Sequence, residues 1–222
     1  MSSRWYQSHF DLTYVIPSEA EGSSLKVLYP NWQVSPKVKA IQTTRMGGFS
    51  ELPYKSLNLA THVGDDPETV LKNRQHIKEE LNLPSEPLWL NQVHGTVVVD
   101  EKSQTECDAD AFYTDQPNQV GVVMTADCLP VFMAADDGNE VAVAHAGWRG
   151  LLNGVIENSL SKFKSSVDDI SIWLGPAIGP EKFEVGEEVF EVFDYPRAFR
   201  KIPSSLPIKR ESKYLADIYA LA

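Results

Sequence analysis

The sequence predicts an α+β fold, one domain of mixed β-sheets flanked by helices, on three observations. Short β-rich runs crowd residues 88–174, helical periodicity appears in only a few separate stretches, and no linker or internal repeat divides residues 30–222. The chain has 222 residues, 42% hydrophobic and 23% charged, which is a globular composition with enough length for a sizeable core without disulfides. Its 20 Lys+Arg against 31 Asp+Glu give a net charge of −11, which argues against a nucleic-acid partner. No apolar run approaches the roughly 20 residues of a membrane span. With two cysteines, Cys107 and Cys128, and no basic, then apolar leader, the chain reads as a cytoplasmic protein with reduced thiols.

Residues 1–24 end in a polar, turn-rich stretch and read as a loosely attached arm; an edge strand over 10–16 is an equal alternative. A half-buried strand is expected over 37–44, followed by a long ordered loop. Asp66 then caps a helix with Pro67 in its first position, running to about Leu81 with Val70, Ile77 and Leu81 on its apolar face. Strands are expected at LWLNQVHG, TVVVD, VGVVMTAD, PVFMAA, EVAVAHA and ISIWLG. A helix over about 150–163 points Leu151, Leu152, Val155, Ile156 and Leu160 inward, and a shorter one spans 186–193. Residues 213–222 look like the opening of an apolar-faced helix with no stop signal after it.

The stretch from Val120 to Gly150 carries the most chemistry. PVFMAA and EVAVAHA flank Asp136, Asp137, Gly138 and Asn139, a strong turn signal. If Ala135 pairs with Glu140, His145 falls opposite Pro130, and Cys128 lies two residues beyond, roughly 7 Å along the strand. A thiol and an imidazole then converge at one end of a sheet. His94, in NQVHG, lies in a segment apolar enough to reach the same core. Two imidazoles and a thiolate make a zinc set with an open fourth position, which activates water at neutral pH. The spacing alone favours a hydrogen-bonded core histidine and a small buried thiol over a metal site.

In HAGWRG, glycines let backbone approach a ligand, and Arg149 offers a guanidinium suited to phosphate; a surface ion pair at a tight turn is the ordinary alternative. Arg45 in TRMGG is open to the same two readings. Asp127, next to Cys128, could orient a ligand or accept a proton, or bond only local backbone.

Together TTRMGGFS, SLNLATHVGDDPETVLKNR, LNQVHG, ADAF, MTADCLPV, AHAGWRGL, GPAIGPEKFEVGEEV and KYLADIYAL resemble, in order, the YfiH-type proteins. That family is also known as laccase-domain proteins and was formerly described as multicopper polyphenol oxidases. The resemblance covers about residues 25–222. It implies a zinc-dependent catalytic domain with His94, Cys128 and His145 as metal ligands and catalytic residues. It also implies purine nucleoside phosphorylase activity on adenosine, inosine and 5′-methylthioadenosine, with adenosine deaminase activity. Arg45, Arg149 and Asp127 fall at the motifs expected to hold substrate or phosphate. Family members usually continue into a CT-containing strand and an FFSYRR-like segment, so this chain is expected to lack the usual C-terminal piece.

Nucleosides and phosphate are thus the expected partners, with no nucleic acid, membrane or obligate protein partner. The principal alternative is a Cys-His amidase editing peptidoglycan precursors, with Cys128 as nucleophile and His145 or His94 as base. A non-enzymatic metal or partner-binding module is less suited to three ligands in a glycine-loosened cleft. A His₂Cys set is also the blue-copper set. Multicopper catalysis needs many more imidazoles, and only His9, His62 and His76 remain, so copper is the lesser expectation.

Overall fold

The computed structural model describes residues 25–203 and 212–222, and the expectations for residues 1–24 lie outside them. It has the expected α+β class, with mixed sheets and few helices. The chain packs as two compact units, one running up to Tyr29 and over Ile41–Asn82, the other over Pro30–Ala40 and Leu83–Ala222. No shift in composition marks this division in the sequence. Among the described residues no helix is long and apolar enough to cross a membrane.

In the first unit, β1 (Val27–Leu28) pairs antiparallel with β2 (Gln42–Thr43), so the strand expected over 37–44 shrinks to two residues. Helix α1 (Pro67–Glu80) starts and stops where its signals lie. The Asp66 carboxylate accepts from the Thr69 N–H at 2.9 Å, and Pro67 occupies a first-turn position where a missing N–H costs nothing. Val70 and Ile77 are buried, and so is Asn73. Its Oδ1 accepts from the Phe49 N–H at 2.8 Å, while its Nδ2 donates to Ser50 Oγ at 2.9 Å and to the Asn58 carbonyl at 2.8 Å. One helical side chain thereby satisfies backbone and hydroxyl groups of the long loop beside it, which has almost no regular structure of its own. Gly48 is required there, because a Cβ would come within 2.6 Å of Leu57 Cα.

The second unit is built on a five-stranded sheet of β3 (Val98–Val99), β4 (Ala111–Thr114), β5 (Leu129–Ala135), β6 (Val141–Ala146) and β7 (Ile170–Leu174). Their order is β3-β4-β6-β5-β7; β3 and β4 run parallel and every other pair antiparallel. In β5, six of seven residues are buried, which suits its place inside the sheet. Leu129, Val131, Met133, Ala142, Ala144 and Ala146 form one core with Leu151 and Val155. Each fully buried Leu, Val or Met there contributes about 1.5–3 kcal/mol. Leu151 lies on α2 (Trp148–Asn153) and Val155 on α3 (Val155–Leu160). The single helix expected over 150–163 is therefore two. Gly154 between them takes φ 90°, a left-handed conformation that ends α2 and that glycine adopts without a Cβ clash.

The remaining elements are β8 (Glu184–Gly186), α4 (Glu187–Val192), β9 (Phe199–Lys201), β10 (Lys213–Ala216) and α5 (Ile218–Leu221). Helix α4 falls within the expected 186–193. The helix expected over 213–222 does not form as one. Tyr214 and Ala216 are buried in period-two alternation, and β10 gains ladders on both sides, to β8 and β9. Only after Asp217, whose carboxylate accepts from the Tyr219 N–H at 3.0 Å, does α5 begin.

LWLNQVHG and VGVVMTAD are not strands either. They make only isolated parallel bridges, Asn91 with Asp108 and Leu88 with Gly121. Trp89 and Leu90 are buried, so the apolar signal was real, but packing rather than strand pairing uses it.

Glu140 closes the far end of the sheet. It is 6% exposed, and its carboxylate accepts from Tyr113 Oη at 2.6 Å, the Lys164 N–H at 2.7 Å, and Ser165 N and Oγ at 2.9 and 2.6 Å. Burial pushes its pKa up, but the bonds from Ser165, Tyr113 and the Lys164 backbone more than offset this and hold it at about 2. The folded value lies below the ordinary 4.5, so this stabilisation is full above pH 4.5 and is lost as pH falls toward 2. Glu140→Gln should therefore cost about 2 kcal/mol at pH 7 by denaturant melts. The gap to the unsubstituted protein should narrow at pH 3, and a gap independent of pH would contradict this reading.

Candidate metal centre

Strands β5 and β6 pair with Pro130 opposite His145 and Leu129 opposite Ala146, and the Ala135 N–H donates to the Glu140 carbonyl at 2.9 Å. This is the register expected from the Asp136–Asn139 turn. It sets His145 at the end of β6 and Cys128 just beyond the start of β5. His94 comes from the loop preceding β3, where it holds a left-handed φ of 58°. The ligand atoms of His94, Cys128 and His145 all lie within 4.8 Å of one another. The two imidazole rings meet edge-on, with centroids 4.7 Å apart and planes at 76°.

The donor set suits a divalent metal. Cys128 Sγ and His94 Nε2 are 3.7 Å apart. Zinc bonds of about 2.3 Å to sulfur and 2.05 Å to nitrogen, at a tetrahedral angle, put those two atoms about 3.6 Å apart. His145 is buried, Cys128 half-buried and His94 exposed, so the group faces outward on one side. Gly147 keeps the space clear, because a Cβ there would come within 2.7 Å of His94 Cδ2 and 3.1 Å of Cys128 Sγ.

The loop that presents His94 is held by two side chains. Gln92 mimics a strand neighbour, its Nε2 donating to the Met124 carbonyl at 2.7 Å and its Oε1 accepting from the Met124 N–H at 2.7 Å. Asp110, fully buried, accepts from the backbone N–H groups of Val93, His94 and Gly95 at 3.2, 2.9 and 2.6 Å. It also accepts from His145 Nδ1 at 2.8 Å. Neither residue is identified by sequence reasoning. Gln92 and Asp110 lie inside LNQVHG and ADAF, and the only signal was a charged residue set among small apolar ones.

The electrostatics are mixed. Burial pushes the Cys128 thiol up to about 11, and the carboxylates of Asp127 and Asp110 add to the effect. Burial also lowers the pKa of His94, reinforced by the neighbouring His145 and by Arg149 and opposed by Asp110 and Asp127. For Asp110 burial works against ionisation, but the bonds from His145 and from Gly95 N–H prevail and its pKa is lowered. The site thus pairs the Asp110 carboxylate with a thiol that burial keeps protonated. Its thiol ionises readily only if a cation is present.

Of the other expected site residues, Asp127 is exposed and accepts the Ile178 N–H on its carbonyl at 2.9 Å. Arg149 lies in the first turn of α2, exposed, with its guanidinium 4.2 Å over the Trp148 ring. Arg45 belongs to the first unit. There its Nε donates to the Lys55 carbonyl at 2.8 Å.

Known proteins share this architecture. A crystal structure of a Neisseria meningitidis protein, 43% identical, superposes with a TM-score of 0.79 over 88% of this chain and 80% of that one. The Escherichia coli protein named purine nucleoside phosphorylase YfiH is 48% identical over 199 residues, 89% of this chain and 81% of its own. The Haemophilus influenzae protein named purine nucleoside phosphorylase is 45% identical, over 89% of this chain and 82% of its own. The family profile described as multi-copper polyphenol oxidoreductase laccase matches residues 39–222. On that span, and on relatives so alike, the chain belongs to this laccase-like family and to its YfiH-type members.

Proposed function

We propose that residues 25–222 form a zinc-dependent purine nucleoside phosphorylase that also deaminates adenosine, acting in the cytoplasm. The observation that carries this reading is the convergence of two imidazoles and a thiol on one outward-facing point, in a chain whose relatives bear the phosphorylase name. His94, Cys128 and His145 are the proposed ligands, and three ligands leave one position for solvent or substrate. Zinc favours this nitrogen and sulfur set and, when bound, supplies a Lewis acid that activates water at neutral pH. Copper is the lesser candidate because a multicopper centre needs further histidines that this chain lacks.

Phosphorolysis requires phosphate to approach C1′ of the sugar while the base departs. Arg149 supports this role: its electrostatic influence reaches His94, and its guanidinium can grip phosphate through two parallel bonds. A cation–π contact with the Trp148 ring steadies the guanidinium. Arg45 is proposed as a second phosphate or substrate contact on the sequence pattern alone. Asp127, next to Cys128 in the chain, is the proposed group that accepts or returns a proton at the leaving base or at attacking water. Adenosine, inosine and 5′-methylthioadenosine share the purine and ribose that such a site would hold.

A Cys-His amidase is the second reading, favoured by the 3.7 Å approach of Cys128 Sγ to His94 Nε2. Burial and two neighbouring carboxylates oppose the thiolate such a nucleophile needs.

Incubating the zinc-loaded protein with adenosine tests the proposal. Adenine and ribose 1-phosphate should appear only with phosphate present, and inosine without it. If neither product forms while a peptidoglycan precursor is cleaved, the amidase replaces it. Arg149→Gln should raise KM for phosphate about 10–100-fold, the loss expected for a charge-assisted hydrogen bond, with deamination little changed. An unchanged KM would remove Arg149 from the phosphate site.

A further inference from the structure

We infer that Asp110 is the positioning residue of this centre: its buried carboxylate fixes the tautomer of His145 and the loop that presents His94. The inference builds on the metal role proposed for the two histidines. Four donors converge on one carboxylate. Oδ1 takes the His94 N–H at 2.9 Å and His145 Nδ1 at 2.8 Å, while Oδ2 takes the N–H groups of Gly95 at 2.6 Å and Val93 at 3.2 Å. A carboxylate offers about four lone-pair sites, so this one is fully used.

Two consequences follow from acceptor-only chemistry. His145 Nδ1 must carry its proton, which leaves Nε2 with a free lone pair, the atom through which His145 can ligate. The His145 backbone is held by the same residue, its N–H donating to the Asp110 carbonyl at 2.7 Å. The three successive N–H groups of 93–95 form a nest around the carboxylate, with His94 at its left-handed centre. Asp110 therefore touches both histidines, one through its ring and one through its backbone, and joins elements that are remote in the chain.

An amide cannot replace it. Asparagine has one acceptor oxygen and one NH₂, so in either orientation the NH₂ faces two donors. Turned toward Oδ1's place, it leaves His145 without an acceptor unless the ring moves its proton to Nε2 and loses the ligating lone pair. Turned toward Oδ2's place, it collides with the Gly95 and Val93 N–H groups and releases the His94 loop.

The test compares the full chain with Asp110→Asn and His145→Ala variants, all checked for folding by circular dichroism. Zinc affinity is read by chelator competition, and the His145 tautomer by long-range ¹H–¹⁵N NMR on metal-free protein, with His145→Ala supplying the assignment. The wild type should show the proton on Nδ1. Asp110→Asn should shift it toward Nε2 and weaken zinc binding about 10–100-fold. A folded Asp110→Asn protein with unchanged affinity and tautomer would overturn the inference. If that variant does not fold, the wild-type spectrum decides, since a proton on Nε2 would overturn it equally. A wild type that takes up no zinc contradicts the metal proposal, and the tautomer measurement then judges Asp110 separately.

Discussion

The register between β5 and β6 is the constraint on which the centre depends. Side chains alternate across a sheet, so a slip of one residue would turn His145 to the opposite face and shift it relative to Cys128. Two features hold the pairing. The Asp136–Asn139 turn closes the hairpin, with the Gly138 N–H donating to the Ala135 carbonyl at 2.8 Å. Strands β4 and β7 flank the pair, and a one-residue slip would set Leu129, Val131 and Met133 on the face opposite Ala142 and Ala144, with which they share a core. The site therefore inherits its precision from the core beneath it.

What the core does not supply, buried polar groups do. His94 stands on a loop with almost no ladder of its own. Gln92 and Asp110 give that loop the hydrogen bonds a sheet would have given it. The result is an exposed imidazole on a loop held by side-chain bonds in place of a strand ladder. A similar economy operates in the first unit, where Asn73 on α1 satisfies the loop around Phe49, Ser50 and Asn58. Glu140 does the same for Ser165 and Tyr113 at the other end of the sheet.

The parts of this architecture legible in the sequence are those governed by local signals. Asp66 and Pro67 mark the start of α1, the aspartate-glycine turn sets the hairpin, and Gly186 precedes α4. From that hairpin alone His145 and Cys128 converge, whereas only the apolar character of its segment and the family resemblance join His94 to them. The illegible parts are those where tertiary partners decide. Residues 88–95 and 120–127 have strand-like apolar content, yet their pairing groups go to side chains or isolated bridges. Lys213–Ala216 has residues a helix would accept, but two neighbouring strands recruit it into a ladder. Gly154 splits a helix because its φ is positive, which a glycine in a helical pattern permits but does not announce. Asp110 was hidden for a different reason. A buried carboxylate declares itself only when its donors, spread over 93–95 and 145, are seen together.

The central claim is that two nitrogens and one sulfur from remote parts of the chain bind a single ion and leave a position open. X-ray absorption at the zinc edge of the loaded protein tests it most directly. The account predicts one sulfur at about 2.3 Å and two imidazole nitrogens at about 2.0–2.1 Å, with one further light-atom ligand. A shell without sulfur, or one closed by four protein side chains, would contradict it.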